Sequence, residues 1–155
     1  MLRRSAAAFA FACLSYAPAL ADPSPAVTID HIGAQLLYAS TGALSADIAP
    51  PAKFSGWNTV IGEGDAKGPA TDVLVSVTLK TAGEQMNLDS PVSVSARSGA
   101  GKVLAQRTFG HVLVDRGKAV LFLLLPDATC AGKVTITAAL GRQTRSATLA
   151  LDCGE

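Results

Sequence analysis

His31 and His111 are the two histidines of the chain. With Asp30, Asp115 or a nearby serine they have the residue types of a hydrolytic triad or a metal site. That chemistry needs an imidazole within hydrogen-bond reach of a nucleophile, or several donors converging on one ion. Neither a Gly-x-Ser-x-Gly elbow nor a His-Glu-x-x-His pair accompanies them, and they stand eighty positions apart. A small hydrolase or metal-binding protein using His31 and His111 therefore stands as an alternative that folding alone would have to assemble.

Other motifs weaken in the same way. Glu63 and Asp65 alternate within Gly-Glu-Gly-Asp-Ala-Lys-Gly-Pro, with Asp72 close by. Calcium takes six to eight oxygens, and too few are visible here. The run reads as a solvated turn whose glycines relieve the backbone. Ser98 to Lys102 echoes a phosphate loop, yet Ala96 replaces the first glycine and Val103 the final Ser or Thr. That segment reads as a hairpin turn. No catalytic, metal-binding or cofactor-binding residue is assigned, and a non-enzymatic protein is expected.

Trp57, the one tryptophan, has two readings. Buried on a central strand it would be a core residue. Exposed beside Asn58 and the Gly-rich run it would anchor a partner, with Trp57, Asn58, Glu63 and Asp65 as the contact surface. The two readings differ in the exposure they require.

Compartment and cysteine usage belong together. Arg3 and Arg4, an apolar run from Ala6 to Tyr16, Pro18 and the small residues of Ala19-Leu20-Ala21 have the order of a general-secretion signal peptide, removed before Asp22. A lipid-anchored alternative would use Cys13, but Ala10 and Phe11 suit that processing poorly. Without the first 21 of 155 residues, 134 remain, enough for one domain with a core. Thirteen basic residues less Arg3 and Arg4 leave eleven against twelve acids. Such a balance gives no electrostatic footprint for nucleic acid, and no remaining segment is apolar for long enough to span a membrane. Cys130 and Cys153 are then an even pair in an oxidising compartment, expected to form a disulfide. The expected location is the periplasm or the extracellular medium.

The elements that position these residues follow a period of two. Val73, Val75, Val77 and Leu79 alternate with polar neighbours, as do Val92, Val94 and Ala96. Strands are expected over Val27–Tyr38, with a break at Gly33, and over Val103–Phe109, Val112–Asp115 and Ala119–Leu125. A short strand is expected at Leu44, Ala46 and Ile48. The continuous run Val120 to Leu125 has the pattern of a strand buried on both faces. At the C-terminus a two-residue Gly141-Arg142 turn, with glycine first to take a positive φ, pairs Leu140 with Gln143. The same register sets Val134 opposite Leu149, Ile136 opposite Ala147 and Cys130 opposite Cys153.

Seven or eight short strands with regular turns imply an antiparallel β-sandwich whose last hairpin is closed by a disulfide. From 27 to 155 this is one domain, after a signal at 1–21 and an extended leader at 22–26. The plan resembles the immunoglobulin-like sandwich over Val27 to Cys153, although Trp57 precedes both cysteines where antibody domains place it between them. Architecture of that kind implies no activity. The reading at this level is an exported binding module for an envelope or extracellular protein. An envelope assembly subunit using an exposed β-edge is the alternative, and oligomeric state stays open.

Overall fold

A computed structural model describes residues 27–154. The signal, Cys13 and the leader fall outside the described residues. Nine strands form two antiparallel sheets: β1 (Thr28–Tyr38), β2 (Ala70–Lys80), β3 (Gln85–Leu88), β4 (Val92–Ser98), β5 (Val103–Phe109), β6 (Val112–Asp115), β7 (Lys118–Leu125), β8 (Gly132–Leu140) and β9 (Gln143–Leu151). One sheet has the order β1-β2-β7-β6-β3 and the other β5-β4-β8-β9. Only a single 3₁₀ turn, Thr59–Ile61, interrupts the β structure among the described residues, and no helix there is long and apolar enough to cross a membrane.

Alternation builds the core. Val73, Val75, Val77 and Leu79 of β2 are fully buried, and so are Ala96 of β4 and Val134, Ile136 and Ala138 of β8. Each buried valine, leucine or isoleucine contributes about 1.5–3 kcal/mol on leaving water. The C-terminal hairpin has the expected register, from Leu140↔Gln143 through Ile136↔Ala147 and Val134↔Leu149 to Gly132↔Leu151. Gly141 takes φ +56. Just past the end of this ladder, Cys130 and Cys153 form a disulfide across a Cα–Cα separation of 5.1 Å.

Four expectations are corrected. Val120 to Leu125 is not buried on both faces: Val120, Phe122 and Leu124 are 37%, 48% and 46% exposed, while Leu121, Leu123 and Leu125 point into the core. A two-layer sandwich covers one face of each sheet, so a central strand still has an outer side. The irregularities in β1 fall between Ile29 and His31 and between Leu37 and Tyr38 rather than at Gly33. Gly33 serves a different need, because a Cβ there would stand 2.7 Å from Ser76 Oγ and 2.9 Å from Asp47 Oδ2. Leu44 to Ile48 is not a strand; it makes one bridge, Leu37↔Leu44. Finally, β3 brings the strand count to nine; its sequence, QMNL, is too short to show a period.

The segment after β1 protects that strand's free edge. Ser45 N–H donates to Leu36 O (3.0 Å) and Ile48 N–H to Ala34 O (2.8 Å). Side chains replace the remaining ladder bonds: Leu36 N–H donates to Ser45 Oγ (2.9 Å) and Ala34 N–H to Asp47 Oδ1 (2.9 Å). Asp47 also accepts from Ala49 N–H and bonds His31 Nε2 at 2.8 Å. Burial by itself would raise the Asp47 pKa. The bonds from Ala34, His31 and Ala49, with the charge of His31, outweigh burial and hold this carboxyl below its ordinary value.

Candidate functional site

Between Phe54 and Pro69 the chain crosses the end of the sandwich that carries the disulfide. Gly56 is buried against the β9 backbone at Ala150 and Leu151, where a side chain would collide. Asn58 then adopts φ +45, a left-handed conformation that asparagine tolerates better than most residues. From there it bonds in three directions. Its backbone N–H donates to Asp152 O (2.9 Å), its Oδ1 accepts from Gly154 N–H (2.6 Å), and its Nδ2 donates to Glu63 Oε2 (2.8 Å).

Asp65 closes the other side of the loop. Its Oδ2 accepts from Ser55 N–H at 2.7 Å, and its own N–H donates to Ser55 O at 3.1 Å. Gly64 sits inside this ring with φ +67, and a Cβ there would stand 2.6 Å from Ser55 O and 2.8 Å from Trp57 O. Glycine is required on both counts. The loop is thus a set of cross-bonded turns anchored to the tail beside Cys153, and not a flexible tether.

This arrangement separates the four residues singled out in the sequence. Trp57 is 48% exposed, so it is not a core residue. Its ring edge lies against Gly154, where a Cβ would be 2.7 Å from Cζ2. Asn58 bonds Gly154 and Glu63, and Glu63 and Asp65 each engage one carboxylate oxygen within the loop while remaining exposed. Two residues missed in the sequence join Trp57 at the surface: Val60, 39% exposed, and Ile61, 62% exposed. Their only sequence signal was an apolar pair beside the tryptophan, which equally well describes a strand core.

The histidines do not meet. His31 lies in β1, at one edge of the five-stranded sheet, and His111 just precedes β6. Those strands are three steps apart in the sheet order, roughly 14 Å at ~4.8 Å per step. His31 bonds Asp47, and His111 borders an open depression with Asn87, Asp89 and Gly110. Among the described residues no three His, Cys, Asp or Glu side chains gather as a metal site would require. Asp72 is occupied as well, accepting from Asp127 N–H at 3.1 Å. Ser98 to Lys102 is the β4–β5 turn, closed by Gly101 N–H to Ser98 O at 2.8 Å.

No protein-family model matches the chain. No curated protein matches it either. Among solved structures it is similar to a Bifidobacterium dentium β-glucuronidase complexed with coumarin-3-O-glucuronide, at 19% identity and a TM-score of 0.42. That match covers 81% of this chain and 17% of the glucuronidase. A second similar structure is the C-terminal domain of wzt, at 14% identity and a TM-score of 0.41, covering 85% of this chain and 75% of that one.

Proposed function

We propose that the protein is an exported, non-enzymatic binding module whose contact surface is Trp57, Val60 and Ile61. One observation carries the reading: a tryptophan and two aliphatic side chains stand exposed on a loop that is internally cross-bonded and tied to the disulfide-closed end. A pre-ordered loop loses little conformational entropy on binding, and an aromatic anchor supplies contact area at low rotamer cost. The disulfide supports export, since such bonds persist in oxidising compartments. The partner expected from this chemistry is an envelope or extracellular protein offering an apolar pocket with polar surroundings.

A photo-crosslinking amino acid placed at Ile61 of the exported protein should give a discrete adduct in its native compartment, while one at Arg142 should not. Trp57→Ala should reduce the adduct at least tenfold. Equal labelling from both positions would remove the loop from consideration. Intact-mass measurement of the same sample should find Asp22 first and the two thiols oxidised; a retained leader would refute export.

A second reading, an envelope assembly subunit that accepts a strand, rests on β5. This seven-residue strand is an edge of its sheet, and among the described residues no loop bonds its outer side. Its discriminating measurement is self-association that a proline within Leu104–Thr108 abolishes.

A further inference from the structure

Leu151 makes the last pair of the β8–β9 ladder, with Gly132, so Asp152, Cys153 and Gly154 have no strand partner. Their bonds go to the exposed loop instead. Asp152 O accepts from Asn58 N–H at 2.9 Å, and Gly154 N–H donates to Asn58 Oδ1 at 2.6 Å. Gly154 also lies against the indole, where a Cβ would stand 2.7 Å from Trp57 Cζ2 and 3.2 Å from Asn58 Nδ2. Tail and loop hold each other, and Cys153 sits between the two bonded tail residues.

The disulfide ties this tail to a fixed post. Thr129 is buried; its hydroxyl donates to Ala70 O (3.0 Å) and its N–H to Thr71 O (3.3 Å), at the start of β2. Ala131 N–H donates to Ala128 O at 3.0 Å and closes the turn that carries Cys130. Cys130 is exposed on this turn, and Cys153 is half-buried on the tail. One sulfur therefore belongs to the sandwich and the other to a segment past the last ladder pair. With the sulfur bond open, the two bonds to Asn58 and the contact with Trp57 are what this segment retains among the described residues. A chain end held so lightly frays, because terminal segments open at little cost.

We propose that the Cys130–Cys153 bond is a redox latch on the Trp57 loop. This regulation rests on the reading of Trp57, Val60 and Ile61 as the contact surface. The reductant is a dithiol, of the kind a Cys-x-x-Cys oxidoreductase carries. One of its thiolates attacks the exposed Cys130 sulfur, forming a mixed disulfide, and the Cys130–Cys153 electron pair leaves on Cys153, which takes up a proton. The second thiol of the reductant then displaces Cys130, which is protonated in turn. Two cysteine thiols and the reductant's own disulfide result, a two-electron exchange. Exposed disulfides are the ones open to this exchange.

Opening the bond acts on the loop through Asn58. As the tail frays, Asn58 loses Asp152 and Gly154 and keeps Glu63 as its side-chain partner. A partner must then meet the cost of ordering the loop, so the contact surface weakens. Linkage makes the effect reciprocal: a partner that needs the ordered loop favours the oxidised form by the same factor.

The test treats the purified chain, its disulfide verified by mass, with millimolar dithiothreitol. Exchange of the Asn58 and Gly154 amides should accelerate about tenfold or more, while the Ala34 and Ile48 amides beside β1 change less than about threefold. Acrylamide quenching of Trp57 should rise, the far-ultraviolet circular dichroism should stay as it was, and glutathione disulfide should restore every value. Cys130→Ser with Cys153→Ser should show the reduced values and no response to dithiothreitol. In the native compartment this double variant should give about fivefold less adduct from a photo-crosslinker at Ile61. A bond that dithiothreitol leaves intact in the folded protein, unchanged exchange at Asn58 and Gly154 after reduction, or loss of the whole fold would each overturn the latch. So would an undiminished adduct from the double variant. Absence of any adduct from the wild-type cysteines would remove the contact surface alone, and exchange and quenching would then decide the latch.

Discussion

Replacing Asn58 tests whether the exposed loop is held in place or merely rests there. Asn58→Ala removes the acceptor for Gly154 N–H, a half-buried bond worth about 1 kcal/mol, and the exposed bond to Glu63, worth about 0.5 kcal/mol. Alanine at φ +45 adds a steric penalty of about 1 kcal/mol that asparagine largely escapes. The loss should total about 2–3 kcal/mol. Asn58→Gly loses the same two bonds without the steric penalty, so it should be milder by about 1 kcal/mol. Urea unfolding followed by circular dichroism gives the global value, and Trp57 fluorescence follows the loop itself. In both variants the fluorescence transition should precede or match the global one. An alanine variant within 0.5 kcal/mol of wild type, or a glycine variant worse than alanine, would show that Asn58 does not pin the loop.

Two further outcomes follow from bonds elsewhere. Cys130→Ser with Cys153→Ser opens a loop of sequence separation 23, and chain entropy puts the loss at about 3 kcal/mol, read as a thermal midpoint lower by about 10 °C. A fall under 3 °C would contradict that account. Asp47, whose pKa is lowered in the folded state, contributes stability that is present above its ordinary value near 3.8 and is lost as the pH falls through the folded value. Asp47→Asn should therefore lower stability at pH 7, by about 1 kcal/mol for so exposed a carboxylate, and flatten the decline below pH ~4. A variant with the same acid limb as wild type would show that Asp47 is not coupled to folding.

Legibility differed between the fold and the site. β2, β4, β8 and β9 alternate apolar and polar residues, and a period of two is itself the statement that one face is buried. The last hairpin was readable in detail because turn type, apolar faces and cysteine spacing all demanded one register. β7 misled, because six consecutive apolar residues describe burial on both sides or a surface waiting for a partner equally well. The loop was legible in another way. Asn58, Glu63 and Asp65 read as surface residues for a partner, and the fold gives each a bond that also holds the loop, to Gly154, Asn58 and Ser55.

Sequence alone determined the β class, the pairing of Cys130 with Cys153 and the register between them, because these depend on neighbours along one hairpin. The tertiary structure decided which side of β7 meets water, that Trp57 stands outside the core, and that His31 and His111 never share a cleft. Those outcomes depend on which strands become neighbours across a sheet and where a second layer lies. A residue's own type and spacing do not encode that, since the partner that buries or exposes it is contributed by distant parts of the chain.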